Sequence, residues 1–260
     1  MHQVRLFFTA LQFFTRLPIP RWVGFEPHWL NHASRYFPLV GLVVGAIAAA
    51  VYALAAWLLP APVAAVLSTA AGIYITGAFH EDGFADMCDG FGGGLAAERV
   101  MEIMKDSRIG AYGAIGILCM LALKCTTLAM LPPLTAIAAL LAAHPLSRLM
   151  ATALIWRLDY ARSEGKAKPL AQKMATAEFL IAALTATLPA LLLCFYGWLS
   201  WAALASGLIA AIAAASWLAA LFVRRIGGYT GDCLGAVQQV TEALFYLAIL
   251  ASLHHGALQG

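Results

Sequence analysis

YFPLVGLVVGAIAAAVYALAAWLLPAPVAAVLSTAAGIYITGAFH, from Tyr36 to His80, contains no Asp, Glu, Lys or Arg. At about 1.5 Å of rise per residue this stretch is too long to cross a hydrocarbon core of roughly 30 Å once, and suits two crossings. Pro60-Ala61-Pro62 divides it. Proline interrupts a helix by removing a donor and clashing with the preceding turn, so the stretch reads as a hairpin of two helices, with Trp57 beside the turn at an interface. The same rhythm returns downstream. Residues 109–157 break at Pro132-Pro133, residues 178–223 break near Gly197-Trp198-Leu199-Ser200-Trp201, and residues 233–253 make a last apolar run. Backbone polar groups in lipid must be satisfied within the chain, which leaves helices as the element here. The expected fold is an all-α polytopic membrane helical bundle of about seven transmembrane helices plus an N-terminal interfacial helix.

Composition agrees. Of 260 residues, 62% are hydrophobic and 11% charged, against about 25% charged in a soluble domain, and the mean hydropathy is +0.82. The chain reads as one integral membrane domain, with residues 1–35 as an interfacial segment and 36–253 as the bundle. Residues 1–16 are apolar but short, end at Leu17-Pro18-Ile19-Pro20, and show no small-residue cleavage site, so no cleavable leader is expected. Five scattered cysteines, 88, 119, 125, 194 and 233, lack C-x-x-C spacing and read as reduced fillers.

Charge placement orients the bundle. Apart from Lys124 and Arg148 inside spans, Lys and Arg fall in the N-terminal segment and in segments 81–108, 157–177 (Arg162, Lys166, Lys168, Lys173) and 224–225, while the turns at 60–62, 132–133 and 197–201 carry no charge. The positive-inside rule then places the N-terminus in the cytoplasm and the C-terminus outside.

Segment 81–108 is expected as a cytoplasmic loop, and its charge needs a reason. It holds seven acids (81, 82, 86, 89, 98, 102, 106) and three bases (99, 105, 108). Within His80-Glu81-Asp82-Gly83-Phe84-Ala85-Asp86-Met87-Cys88-Asp89-Gly90, the aspartates 82, 86 and 89 fall at i, i+4 and i+7 and share one helical face. Carboxylates so close repel each other, and oxygen-only ligands suit a hard divalent cation such as Mg²⁺ or Mn²⁺; a solvated acidic loop is the alternative. Asp106 reads as an N-cap of the next span or as a further ligand. Lys105 and Arg108 suit phosphate oxygens or mark the end of a span. Gly227-Gly228-Tyr229-Thr230-Gly231-Asp232 presents backbone N–H groups at a helix start, an anion cradle that carries another acid. Gly92-Gly93-Gly94 reads as a close backbone approach or a hinge. Glu242, inside the last span, either pairs with Lys124 or Arg148, or lines a polar substrate cavity. His144 and Arg148, at i and i+4, face one way. Taken together, these residues suit metal-assisted phosphoryl transfer, with two ions about 4 Å apart clamping a pyrophosphate. No basic stripe with interleaved aromatics points to nucleic acid.

Phe14-Thr15-Arg16-Leu17-Pro18-Ile19-Pro20, the 80–90 motif, Glu102-Ile103-Met104-Lys105-Asp106-Ser107-Arg108-Ile109-Gly110, Tyr160-Ala161-Arg162 and Gly227-Gly228-Tyr229-Thr230-Gly231-Asp232-Cys233-Leu234-Gly235-Ala236 together resemble the cobalamin synthase family, whose members are adenosylcobinamide-GDP ribazoletransferases. The resemblance spans about residues 5–245. It implies an inner-membrane enzyme using Mg²⁺, expected as two ions with Mn²⁺ as an alternative, that joins adenosylcobinamide-GDP to α-ribazole or its 5′-phosphate and releases GMP. It carries over Asp82, Asp86, Asp89, Asp106 and Asp232 as metal ligands. Lys105, Arg108 and the 227–231 turn (Gly228, Thr230, Gly231) become phosphate contacts, and His80 becomes a supporting or base group; Ser107, Arg148 and Glu242 are further candidate substrate contacts read from the residues alone. Glu81, beside Asp82, points off the metal face and is not counted as a ligand. The partners expected are these substrates and the lipid bilayer, and the assembly is left open between monomer and homo-oligomer. The motif is also similar to the CDP-alcohol phosphotransferase signature, but no Ala-Arg follows the first Asp-Gly in that register. A phospholipid-type CDP-alcohol phosphotransferase is the alternative reading. A divalent-ion transporter is disfavoured because most acids crowd one membrane face.

Overall fold

A computed structural model describes residues 1–24, 26, 28–161 and 174–259. The basic positions 162, 166, 168 and 173 lie outside the described residues. The chain is a helical bundle: α1 (His2–Phe14), α2 (Trp29–Ala33), a 3-10 turn (Ser34–Tyr36), α3 (Phe37–Leu58), α4 (Ala61–Thr76), α5 (Phe79–Gly93), α6 (Ala97–Ile103), α7 (Ala111–Met130), α8 (Pro133–Arg157), α9 (Thr176–Phe195), α10 (Trp201–Ile226) and α11 (Gly231–Gln259). The proline turns sit where expected. Pro60, Pro132 and Ser200 precede α4, α8 and α10, and the Ser200 hydroxyl caps α10 by accepting from Ala203 N–H at 3.1 Å.

Six helices among the described residues are long and apolar enough to cross a membrane, and Trp29–Leu58 counts as one of them, so the segment entering the first span is continuous with it. The expected second span differs. α4 has 16 residues, about 24 Å of helix, and meets α5 at 91°. The pair makes a seventh span only as one broken unit. The bend is built by two successive left-handed residues, Gly77 (φ 65) and Ala78 (φ 59). Glycine adopts this conformation freely, whereas a Cβ at Ala78 makes it costly. The arm after α1 braces it: Arg16 N–H donates to Ile75 O at 2.8 Å. A second correction concerns segment 81–108, expected as a loop; most of it is helix, in α5 and α6.

α8 and α11 are central. Their apolar windows are 78% and 67% buried, against 28% for α7 and for α9. Close approach relies on small side chains, as is usual between membrane helices: a Cβ at Gly45 of α3 would lie 2.8 Å from Leu140 O of α8. On α9, Glu178 is buried and pairs with Arg35 and with His32 (2.8 Å), fastening the N-terminal segment to that helix.

Candidate active site

α5 and α11 touch through glycine. A Cβ at Gly83 would lie 3.0 Å from Asp232 Cα, and one at Gly235 would lie 3.1 Å from His80 O. This contact sets the first turn of α11 against the first turns of α5, so Asp232 stands beside Asp82 and Asp86. The turn after α6 folds over the same place. A cavity of about 390 Å³ results, lined by Asp82 and Asp86 of α5, Lys105, Asp106 and Ser107 of the turn, Gly231 and Asp232 at the start of α11, and Phe13, Phe79, Gly83, Met104 and Tyr160. Four carboxylates from three elements thus face one cavity, with Lys105 as the cation among them.

Asp106 is ordered by Arg108. Its carboxylate accepts the Arg108 backbone N–H (3.1 Å), Nε (3.0 Å) and Nη2 (2.6 Å). The Arg108 side-chain hydrogen bonds, then the backbone one, hold its pKa down at about 2. It is an anion at any ordinary pH. The turn is therefore an Asx turn, and the N-cap alternative for Asp106 is not what forms. Arg108 is spent on Asp106 and does not line the cavity, whereas Lys105 and Ser107 do.

Asp89 has a different environment from the other motif aspartates. It is buried, and its two carboxylate oxygens accept the N–H groups of Gly110 (2.7 Å) and Gly113 (2.8 Å), so it caps α7 from another helix. A Cβ at Gly110 or Gly113 would collide with that carboxylate. The shared face holds for Asp82 and Asp86, but by Asp89 the face has passed beneath α7. His80 also leaves the cavity. It is 4% exposed, is stacked on Phe14 (centroids 5.3 Å, 13°), and lines two inner clefts instead.

The glycine-rich turn is shaped by packing. Gly228 admits no Cβ because Asp159 O lies against it; next to it, Tyr229 N–H donates to Asp159 O (3.0 Å) and Ala161 N–H donates to Tyr229 O (2.9 Å). Thr230 is fully buried, and its hydroxyl accepts the Cys233 N–H (3.3 Å), capping α11. Of this turn, Gly231 and Asp232 reach the cavity. Gly94 is a close approach: Arg225 Nη2 donates to its carbonyl at 2.5 Å.

Beneath the cavity lies a second polar cluster. Glu242 pairs with Lys124 (2.5 Å), accepts from Gln238 Nε2 (2.5 Å) and Tyr246 OH (3.3 Å), and has His144 Nδ1 at 3.2 Å. Lys124 Nζ also donates to Gln239 Oε1 (3.1 Å), and Gln239 Nε2 donates to Glu81 Oε1 (2.9 Å). Of the alternatives for Glu242, the buried ion pair forms, with Lys124 rather than Arg148. Arg148 donates to His144 O (3.0 Å). Neither Arg148 nor Glu242 lines the carboxylate cavity. The void among these groups is about 20 Å³, room for one water. Glu81 points inward, away from the aspartate cavity. Gln238 and Gln239 were not anticipated, although two adjacent amides in an apolar span are a readable signal.

Among the described residues, no three His, Cys, Asp or Glu side chains close into a metal cage; the four aspartates stand around an open cavity. Their chemistry nevertheless fits a hard divalent cation. The donors are all oxygen, their charge exceeds that of Lys105, and one of them, Asp106, stays ionised.

The chain matches the family model for cobalamin-5-phosphate synthase over residues 6–250. It is 46% identical to the adenosylcobinamide-GDP ribazoletransferase of Leptothrix cholodnii, covering 97% of each protein. It is 49% identical to that of Ralstonia nicotianae, covering 95% of each, and 44% identical to that of Shewanella frigidimarina, covering 96% of each. No solved structure matches it.

Proposed function

The chain belongs to the cobalamin-5-phosphate synthase family, and on that footing we propose that it is a Mg²⁺-dependent adenosylcobinamide-GDP ribazoletransferase of the inner membrane. A ribose hydroxyl of α-ribazole, or of its 5′-phosphate, attacks the cobinamide-linked phosphorus of adenosylcobinamide-GDP, the bond to the GMP moiety breaks, and GMP leaves. The observation that carries this reading is the meeting of Asp82, Asp86, Asp106 and Asp232 in one cavity at one end of a membrane bundle.

These four aspartates would hold two Mg²⁺ ions, or Mn²⁺ in their place. The bound cations supply charge neutralisation at the pyrophosphate and at the attacking and leaving oxygens. Lys105 and the Ser107 hydroxyl bind non-bridging phosphate oxygens. The start of α11 at Gly231 adds backbone N–H groups and the positive end of a helix dipole. Arg108 holds Asp106 ionised and aimed. Asp89 acts through the backbone, fixing the α5–α7 junction that positions the 104–110 turn. The distribution of Lys and Arg supports a cytoplasmic N-terminus and a cavity opening to the cytoplasm.

The test is turnover by the purified protein in lipid nanodiscs. With Mg²⁺, adenosylcobinamide-GDP and α-ribazole, GMP is released in step with a joined corrinoid product. Turnover with a CDP-activated lipid and none with the corrinoid nucleotide sinks the reading.

A further inference from the structure

The carboxylate cavity has an aromatic end. On α5, Phe79, Asp82, Gly83 and Asp86 fall at i, i+3, i+4 and i+7, so they form one stripe of the helix, and all four line the cavity. Phe79 therefore stands one helical turn, about 5 Å along the axis, before Asp82. Phe13 of α1 packs on Phe79, with centroids 5.3 Å apart and planes at 66°, and lines the cavity too. Tyr160, which follows α8, brings a third ring to the lining. Its backbone is bridged to Tyr229, and its ring meets that buried ring edge to face at 5.4 Å and 72°. Phe13, Phe79 and Tyr160 are all half-buried. The phosphate and cation chemistry proposed above uses none of the three.

We propose that Phe13, Phe79 and Tyr160 seat the benzimidazole base of the ribazole substrate and thereby select the nucleoside that is joined. The inference rests on the ribazoletransferase reading above. Aromatic side chains hold a flat guest by offset or edge contacts, and a cavity of about 390 Å³ is of the size that takes small organic ligands. Guanine is the other flat base in the reaction, and two arguments set it aside. The first is reach. The attacking hydroxyl sits on the ribose that carries the benzimidazole, so base and reacting oxygen are one sugar apart, the scale of the single turn between Phe79 and Asp82. Guanine is separated from the attacked phosphorus by its own ribose and by the departing phosphate as well. The second is polarity. Guanine carries donors and acceptors along its edge, and burying them against phenylalanine without partners is costly. Benzimidazole turns an apolar carbocycle to the rings and keeps one free ring nitrogen, which the open cavity leaves in water.

Steady-state kinetics in nanodiscs test this. Tyr160→Leu and Phe79→Leu each raise KM for α-ribazole about tenfold, the scale of one lost contact between a base and an aromatic side chain. KM for adenosylcobinamide-GDP and the half-saturating Mg²⁺ concentration stay as in the wild type. Tyr160→Phe, which keeps the ring, keeps the low KM for α-ribazole. In the wild type, a purine riboside of the same anomeric configuration, with polar nitrogens in the ring that faces the phenylalanines, has a higher KM than the benzimidazole riboside, and Phe79→Leu narrows the gap. A photoreactive benzimidazole riboside labels Phe13, Phe79 or Tyr160 of the wild-type protein, which decides the matter if the leucine variants do not fold. Labelling elsewhere overturns the proposal. So does a rise in KM for adenosylcobinamide-GDP in place of that for ribazole, or an unchanged KM for ribazole in both folded leucine variants. Failure of the parent reading shows differently, as a wild type that releases no GMP.

Discussion

Two clusters of charge lie at adjoining depths of the same bundle and are handled in opposite ways. In the inner one, Glu242 meets Lys124 at 2.5 Å, and Gln238, Gln239, Tyr246 and His144 complete the shell around a void with room for one water. In the outer one, Asp82, Asp86, Asp106 and Asp232 surround about 390 Å³ with Lys105 beside them. A buried charge that the protein neutralises itself is part of the packing. Carboxylates gathered around open space leave room for a ligand, as the proposed function requires. Charge in a membrane protein is therefore informative according to whether it borders packed side chains or open space.

The largest effect falls on the inner cluster. Glu242→Gln leaves Lys124 buried without its anion, and costs about 3–5 kcal/mol of stability, read by chemical denaturation in detergent. Replacing both partners, Lys124→Met with Glu242→Leu, restores most of it. A Glu242→Gln protein of full stability but no turnover would move this cluster into the catalytic machinery. Next is the outer cluster. Asp82→Asn or Asp232→Asn lowers kcat by about 10²–10³, the scale for losing one preorganised electrostatic contact to the reacting group, while the melting temperature holds or rises as repulsion is relieved. Normal turnover in either variant contradicts its place at the reacting phosphate.

Asp89→Ala tests the boundary between the two behaviours. It strands the N–H groups of Gly110 and Gly113 at the start of α7, the second of them buried, and costs about 1–3 kcal/mol, with the half-saturating Mg²⁺ concentration unchanged. Asp86→Ala shows the reverse pattern. An Asp89→Ala protein that melts normally and binds Mg²⁺ weakly would make Asp89 a ligand after all.

The smallest effect concerns Asp106. Its pKa is depressed from 3.8 to about 2. The bonds from Arg108 therefore contribute fully above the ordinary value near 4, and their contribution fades as pH falls toward 2. At pH 3 about a tenth of Asp106 is protonated in the wild type, and most of it is in Arg108→Met, where the ordinary value returns. Carboxyl bands in isotope-edited infrared spectra report this fraction. Equal titration of the two proteins removes Arg108 as the cause.

The bundle and the pairing of Asp82 with Asp86 were legible in the sequence because they depend on local matters: apolar length, proline at turns, and helical spacing. Asp89 was not, since its fate depends on a helix beginning at 111, and two glycines at 110 and 113 whose N–H groups donate to a carboxylate give only a faint trace in the sequence. For Glu242 the sequence offered candidates and contacts chose Lys124, because pairing across the bundle has no sequence period. The bend at Gly77-Ala78 escaped because an alanine in left-handed geometry is imposed by its surroundings.

That bend has a consequence for the chain's first residues. A membrane helix that stops short exposes backbone carbonyls where no solvent is at hand. Here the carbonyl of Ile75 is met by Arg16 N–H, and the Arg16 side chain lies over Gly77. The amino-terminal arm is thus a stopper set into the end of a truncated column. Shaving it away would not trim an appendage; it would uncork the end of the bundle on which the acidic cavity stands.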